Sequence, residues 1–172
     1  MVERRRWFDR RFPLGLPVEA FPDVLERVRG TPARLEERVR GVPHEVLVQQ
    51  PDDEWSIQEN VGHLLDLEPL WAGRLDDFLA LAPELRPADL QNRKTHEARH
   101  NENSLTELLG AFRVARMATV ERLEGLSGEA LRLTALHPRL QEPMTVVDLS
   151  YFVAEHDDHH LARITELLRT LE

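Results

Sequence analysis

The segment that decides the fold reads Ala154-Glu155-His156-Asp157-Asp158-His159-His160-Leu161, close to the C-terminus. His156 and His160 stand one turn apart in it, about 6 Å along the axis of a helix, so their ring nitrogens can converge on one ion. Both histidines fill gaps in an apolar stripe whose residues recur every three or four positions, as on a buried helix face. The stripe consists of Leu149, Val153, Ile164, Leu167 and Leu171. The segment therefore predicts two metal ligands on an amphipathic helix.

A third ligand, His63, is predicted on another helix, within Trp55-Ser56-Ile57-Gln58-Glu59-Asn60-Val61-Gly62-His63. Ser56 followed three residues later by Glu59 is typical of a capping box, which starts a helix here and places His63 about two turns inside it. Near a helix N-terminus the macrodipole opposes protonation and favours the neutral imidazole that ligation requires. Three protein ligands leave a position for water or substrate, the pattern of a catalytic metal site.

Composition restricts the classes of protein that the chain can be. Its 172 residues, 41% of them hydrophobic, suffice for one domain over residues 1–172, and no apolar run approaches the roughly 18 residues that span a bilayer. The basic N-terminal cluster has no apolar segment behind it, so we expect no secretory signal and a cytoplasmic protein without membrane partners. The net charge of −9 argues against nucleic acid, because phosphate contacts require a basic surface.

Four long helical patterns dominate the chain, and little alternates with the period of a strand. The first pattern is interrupted by Pro22 and by Gly30-Thr31-Pro32, which make its continuity doubtful. The third begins at Ser104, read as a second capping box with Glu107. Together the patterns predict an all-α four-helix bundle, with helices over residues 18–40, 57–81, 104–125 and from 146 to the C-terminus.

The connection over residues 82–103 is long for neighbours in an up-and-down bundle, where about 2 to 8 residues suffice. We expect it to cross the bundle from end to end and to make the second and third helices parallel, although the connections at 41–55 and 126–144 are also long. His96 and His100 form a rival pair within it, but no apolar stripe surrounds them. We therefore expect a solvated crossover, with the rim of the site as the alternative, and we expect His137, beside a proline, in a surface turn.

These features resemble the DinB/YfiT-like metal-binding four-helix bundles, particularly the DinB-like branch. The resemblance covers most of the chain and rests on three stretches: residues 55–64, with the tryptophan, the capping glutamate and Gly62-His63-Leu64; Asn92-Arg93-Lys94-Thr95; and His156-Asp157-Asp158-His159-His160-Leu161-Ala162-Arg163-Ile164. It implies a metal triad of His63, His156 and His160, a long crossover between helices two and three, and a homodimer.

Similar proteins include metal-dependent hydrolases and enzymes that use low-molecular-weight thiols, such as thiol S-transferases and a mycothiol-dependent isomerase. The resemblance thus implies a small-molecule substrate and makes attack by a metal-bound thiolate the leading chemistry, with hydrolysis as the alternative. The chain has no cysteine, so a thiol would have to be a soluble cofactor. A non-catalytic reading also stays open, in which the metal stabilises a binding or stress-associated module. Zinc or nickel is expected, because imidazole suits both ions.

Several polar residues near the triad have two interpretations. Glu59 could act as a general base, although the helix cap explains it better. His159 lies about 100° around the helix from His160 and is not counted as a ligand. Arg93, with the crossover histidines, could hold an anionic substrate. The remaining carboxylates could orient imidazole N–H groups or merely solvate a helix face: Asp66, Glu155, Asp157 and Asp158.

Overall fold

The computed structural model describes residues 4–51 and 54–171, so the start of the basic N-terminal cluster lies outside the described residues. In chain order its elements are α1 (Phe21–Val39), α2 (His44–Leu47), α3 (Ile57–Leu79), α4 (Arg93–Glu97), α5 (Leu105–Glu124), β1 (Thr134–His137), β2 (Glu142–Thr145) and α6 (Val146–Leu171). The long helices α1, α3, α5 and α6 correspond to the four predicted ones and form a four-helix bundle. Within the described ranges, no helix is long and apolar enough to cross a membrane.

Capping residues set the start of α3. The Ser56 hydroxyl accepts a hydrogen bond from the Glu59 backbone N–H at 3.0 Å, and the Glu59 carboxylate accepts one from the Ser56 N–H at 2.8 Å. This confirms the predicted capping box. At α5 the Ser104 hydroxyl caps the Glu107 N–H, but the return bond is not formed, so the predicted second box is only a simple N-cap.

Helix α1 is continuous, so the predicted interruptions are wrong. Pro22 lies in the first turn, where a missing N–H breaks no intrahelical hydrogen bond. Pro32 lies inside the helix and leaves the carbonyl of Val28, four residues earlier, without its usual donor. Arg116 of α5 supplies the replacement, because its Nη1 donates to the Val28 carbonyl at 3.3 Å. A tertiary contact thus stabilises a helix that the local sequence disfavours.

The direction of the helices confirms the predicted crossover. Near the start of α3, Gln58 donates to the carbonyl of Asn103 just before α5, at 2.8 Å. Near the end of both helices, Arg122 of α5 is 2.5 Å from Asp76 of α3. Helices α3 and α5 are therefore parallel, as expected for a connection that returns across the bundle. Each of them packs against α1 or α6 as well.

A small antiparallel hairpin, β1 and β2, lies between α5 and α6 and was not predicted. Thr134 pairs with Thr145 and His137 with Glu142, and four residues per strand are too few to show a clear period-two pattern. An isolated bridge from Glu84 to Leu136 attaches the hairpin to the segment after α3. The hairpin therefore stands at the end of α3 farthest from His63.

Candidate metal centre

His63 of α3 and the pair His156 and His160 of α6 come together inside the bundle. All three side chains are buried, and one ring nitrogen of each lies within 4.8 Å of the other two. The ring centroids are 4.5 Å apart for the α6 pair, and 5.3 and 4.7 Å from His63 to His156 and His160. Because α3 and α6 pack against each other, residues far apart in the sequence supply one cluster of donors.

A relay of hydrogen bonds orients the His63 ring. The Thr95 hydroxyl donates to Asp66 at 2.9 Å, so its oxygen accepts the Nδ1–H of His63 at 3.0 Å. Asp66 also accepts from Nε2 of His100 at 2.8 Å. These bonds oppose the effect of burial and hold the pKa of Asp66 below its usual value. The relay keeps the His63 proton on Nδ1 and leaves Nε2 free to bind an ion.

Asn60 plays the same part for His160. The amide nitrogen of Asn60 donates to the Ser56 carbonyl at 2.8 Å, so its Oδ1 faces the imidazole and accepts the Nδ1–H of His160 at 2.8 Å. Nε2 of His160 is therefore the unprotonated nitrogen. By contrast, Nδ1 of His156 is buried and has no hydrogen-bond partner among the described residues.

All three imidazoles are neutral at physiological pH. Burial lowers the pKa of His63 to about 4, and it lowers the pKa values of His156 and His160 well below their usual value. Repulsion from a neighbouring histidine, if that one were protonated, would lower these pKa values further. Neutral imidazoles with free lone pairs, together with an unpartnered buried nitrogen, fit one transition-metal ion. Within the described chain no carboxylate joins the group, so the oxygen cage of a calcium or magnesium site is missing.

The three histidines form part of the wall of a cavity of about 540 Å³. Three tryptophans contribute to its other walls, together with aliphatic and charged side chains. Trp55 lies 4.6 Å from His63 between ring centroids, Trp71 lies 5.7 Å from His156, and Trp7 lies 5.0 Å from His156. The volume falls within the range of small-molecule sites, and the aromatic walls suit an organic substrate.

Among the undecided residues, Glu59 is a helix cap and also accepts from Gln50, and it does not line the cavity. His96 is exposed, as expected for the crossover. Arg93 is exposed as well and pairs with Asp89. Neither Arg93 nor His96 lines the cavity, although the His96 ring lies 5.6 Å from the ring of Trp55, which does.

Two predicted surface histidines are buried. His100 was expected in a solvated crossover, but its ring packs against Gly62 and donates to Asp66. A Cβ at Gly62 would lie 2.2 Å from Cγ of His100, so only glycine permits this approach. His137 was expected in a surface turn, but the unpredicted hairpin buries it. His159 is half-buried, lines the cavity and accepts from Arg4 at 2.9 Å, and it stays outside the donor cluster.

Of the four carboxylates that we considered as orienting groups, only Asp66 does this, and it acts through Thr95. Asp157 is buried against Arg116, and Glu155 and Asp158 both bind Arg27. The orienting residues that the sequence analysis missed are Thr95 and Asn60. Asn60 stands three residues before His63 on the same helix, and this spacing was the one local signal for it.

Comparison with known proteins shows the family of the chain. The model of the DinB superfamily matches residues 27–164, which include all three histidines, and the chain belongs to that superfamily. Among solved structures it is similar to YfiT from Bacillus subtilis, with a TM-score of 0.81 and 21% sequence identity over 94% of this chain and 93% of the other. That protein is described as a probable metal-dependent hydrolase with an unusual four-helix bundle topology. No curated protein matches the chain.

Proposed function

We propose that this protein binds one divalent transition-metal ion, zinc or nickel, through His63, His156 and His160 and catalyses hydrolysis of a small molecule. One observation carries the proposal: three buried, neutral imidazoles converge at the wall of a cavity of about 540 Å³ that tryptophans also line. In the described chain no further histidine or carboxylate joins the donor group, so a bound ion keeps a position for substrate. The fold shared with YfiT agrees with this function.

The ion would polarise a carbonyl or phosphoryl group and lower the pKa of a water or a thiol that joins it. The chain's own residues hold the triad in place: Thr95 and Asn60 keep the protons of His63 and His160 on Nδ1. The indoles around the triad exclude bulk water and present flat apolar faces to a substrate.

Metal analysis tests the first half of the proposal. Protein purified without chelators or a metal-affinity column should contain about one equivalent of zinc or nickel per chain. Replacing His63, His156 and His160 by alanine should abolish the metal, whereas His96→Ala, at an exposed histidine, should not change its content. A metal-free wild-type protein that takes up neither ion would overturn the assignment.

A paired activity screen tests the second half. Metal-loaded protein is offered ester and amide substrates, and separately electrophiles with mycothiol, bacillithiol, glutathione or coenzyme A, with His160→Ala as control. Turnover without a thiol that is lost in the variant supports hydrolysis. Turnover only with a thiol would replace hydrolysis by S-transfer. No turnover in either arm, with a fourth protein ligand on the ion in a crystal structure, would favour the non-catalytic module.

We further propose that residues 1–172 form one domain and that the protein is cytoplasmic. The family resemblance also implies a homodimer, which we propose as well. Light scattering coupled to size-exclusion chromatography tests the oligomeric state. A mass of one chain, about 19.9 kDa, at micromolar concentration would contradict the dimer.

A further inference from the structure

A second polar cluster, Arg74, His137 and Arg139, lines the same cavity as the triad. Arg74 belongs to α3, eleven residues after His63, which is about 16 Å along the helix axis. His137 ends β1 and Arg139 lies in the turn of the hairpin. The side chains of Arg74 and His137 are only 1% and 2% exposed, so the cluster is built into the protein.

The hydrogen bonds of His137 show that an acceptor is missing from this cluster. Nδ1 of His137 accepts the backbone N–H groups of Arg139 and Leu140, both at 3.2 Å. A neutral imidazole that accepts at Nδ1 carries its proton on Nε2. That Nε2–H faces Nη1 of Arg74 at 3.2 Å, and a guanidinium is only a donor. Two donors therefore point at each other in a buried site, and no oxygen of the described residues accepts from either. The Arg86 carbonyl, 3.1 Å from Nε of Arg74, accepts only from the other side of that guanidinium.

The arginines also lack counter-ions within the described chain. Neither Arg74 nor Arg139 forms a salt bridge there, and Nη2 of Arg139 is buried without a hydrogen-bond partner. Asp77, the carboxylate that acts on Arg74, is bound by Arg86. Burial and the neighbouring Arg139 charge lower the pKa of Arg74 to about 10, which still leaves it charged at neutral pH. Two buried or partly buried cations without an anion are unfavourable unless a ligand supplies one.

We propose that Arg74, Arg139 and the Nε2–H of His137 form an anion-binding subsite that holds the carboxylate of an amphiphilic substrate. A carboxylate has two oxygens that accept from paired guanidinium donors, which matches this set of groups. The aromatic rings between the two clusters provide the apolar surface for the body of that substrate: Trp7, Phe8, Trp71 and Phe152.

The two clusters lie at a separation that one small molecule can span. Both clusters contact Trp71. The guanidinium carbon of Arg74 is 5.5 Å from the centroid of the Trp71 ring, and the centroid of the His156 ring is 5.7 Å from that of Trp71. Arg74 and His156 are thus no more than about 11 Å apart, the length of a small organic ligand in a pocket of this size. The substrate class is therefore small molecules with an anionic end and a reactive group that lies at the triad. This inference rests on the proposed function.

Binding of 3-phenylpropanoate and of its uncharged amide, 3-phenylpropanamide, tests the subsite. Both are titrated into the full-length protein by calorimetry, with tryptophan fluorescence as a second readout. The acid should bind about tenfold more tightly than the amide, because only the acid satisfies the charged donors. Arg139→Gln and Arg74→Gln should each remove most of this preference, with folding checked by circular dichroism. Arg139 forms no side-chain hydrogen bond in the described chain, and its guanidinium lies over the rings of Phe8 and Phe152. Its variant therefore disturbs the fold less than that of Arg74, which is fully buried and donates to the Arg86 carbonyl.

Two controls separate this subsite from the metal centre. Arg163 lines the same cavity but already pairs with Glu54 and Glu166. Arg163→Gln should therefore leave the preference for the acid over the amide unchanged. His160→Ala, or chelation of the metal, should also leave the preference intact, because the anion does not bind at the triad. The proposal is overturned if wild-type protein binds acid and amide equally, if both arginine variants keep the preference, or if the His160 variant loses it. Failure of the hydrolase proposal would instead appear as absent metal or turnover, with the acid preference unchanged.

Discussion

Replacing Arg116 by methionine should destabilise the protein strongly, because Arg116 joins all four long helices. Its side chain is fully buried in α5. It forms five hydrogen bonds, with Glu68 of α3, Asp157 of α6 and the Val28 carbonyl of α1. The two carboxylates hold the pKa of Arg116 above its usual value, despite the opposing effect of burial.

The size of the effect follows from what the substitution leaves behind. Methionine fills most of the volume, but Glu68, 3% exposed, and Asp157, fully buried, then lose their shared cation. Removing one partner of a buried ion pair typically costs about 3–5 kcal/mol. The Val28 carbonyl above Pro32 also loses its substitute donor, which adds to the cost. We therefore expect the free energy of unfolding at pH 7 to fall by about 3–5 kcal/mol, a large part of the 5–15 kcal/mol of an ordinary domain.

Urea unfolding followed by circular dichroism measures this loss, with Arg122→Met as the matched control. Arg122 of α5 forms a salt bridge with Asp76 of α3 on the protein surface. Loss of this surface salt bridge should lower the free energy of unfolding by under about 1 kcal/mol. A loss in Arg116→Met no larger than in this control would refute the reasoning.

The pH dependence provides an independent check. Burial raises the pKa of Glu68 even though Arg116 opposes the shift. Without Arg116 the pKa of Glu68 in the folded protein rises further above its value in the unfolded chain. The folded protein then binds a proton that the unfolded chain does not, and the stability from this proton is lost as pH rises through the raised pKa. The difference between variant and wild type should therefore be smaller near pH 5 than at pH 7, and Glu68→Gln in the variant background should recover part of it. A difference that does not change with pH would contradict this mechanism.

Three further predictions concern the metal centre. Gly62→Ala should displace His100 from Asp66 and lower stability by about 1–3 kcal/mol in urea unfolding, as overpacking does; unchanged stability would contradict the close contact. Thr95→Val should weaken metal affinity about 10–100-fold in a chelator competition, since His63 loses its proton acceptor. Removing a metal present at 100 to 1,000 times its dissociation constant should lower stability by roughly 3–4 kcal/mol yet preserve helical circular dichroism; loss of helicity would indicate a metal required for folding.

The bundle and the triad could be predicted because their residues recur with the period of an α-helix. His63, His156 and His160 occupy buried positions of regular helices, and a capping box fixes where α3 begins. Helix identity therefore follows from local patterns, and the parallel crossover follows from the length of the connection over residues 82–103. The three histidines follow from their positions on the two helices together with the family resemblance.

What the sequence could not provide are the features that depend on a distant partner. Pro32 has the sequence signature of a break, and only the contact from Arg116 makes α1 continuous. His100 stands in a polar segment and is buried because Gly62, on another helix, leaves room for its ring. His137 is buried by strands of four residues, which are too short to carry a period. In each case tertiary packing overrides the local propensity.

The two ends of the cavity differ in the same way, because helices form one end and the hairpin contributes to the other. The triad depends on α3 and α6, whose spacing is set by the regular rise of long helices and by the Arg116 network between them. The cluster of Arg74, His137 and Arg139 depends on the hairpin, which buries Ala135 and Met144 in the core and pairs with the segment after α3 through the bridge from Glu84 to Leu136. A change in the length of the hairpin would move Arg139 and leave the three imidazoles of the triad in place. In the function that we propose, the helices therefore determine the chemistry, and the hairpin determines which anion reaches it.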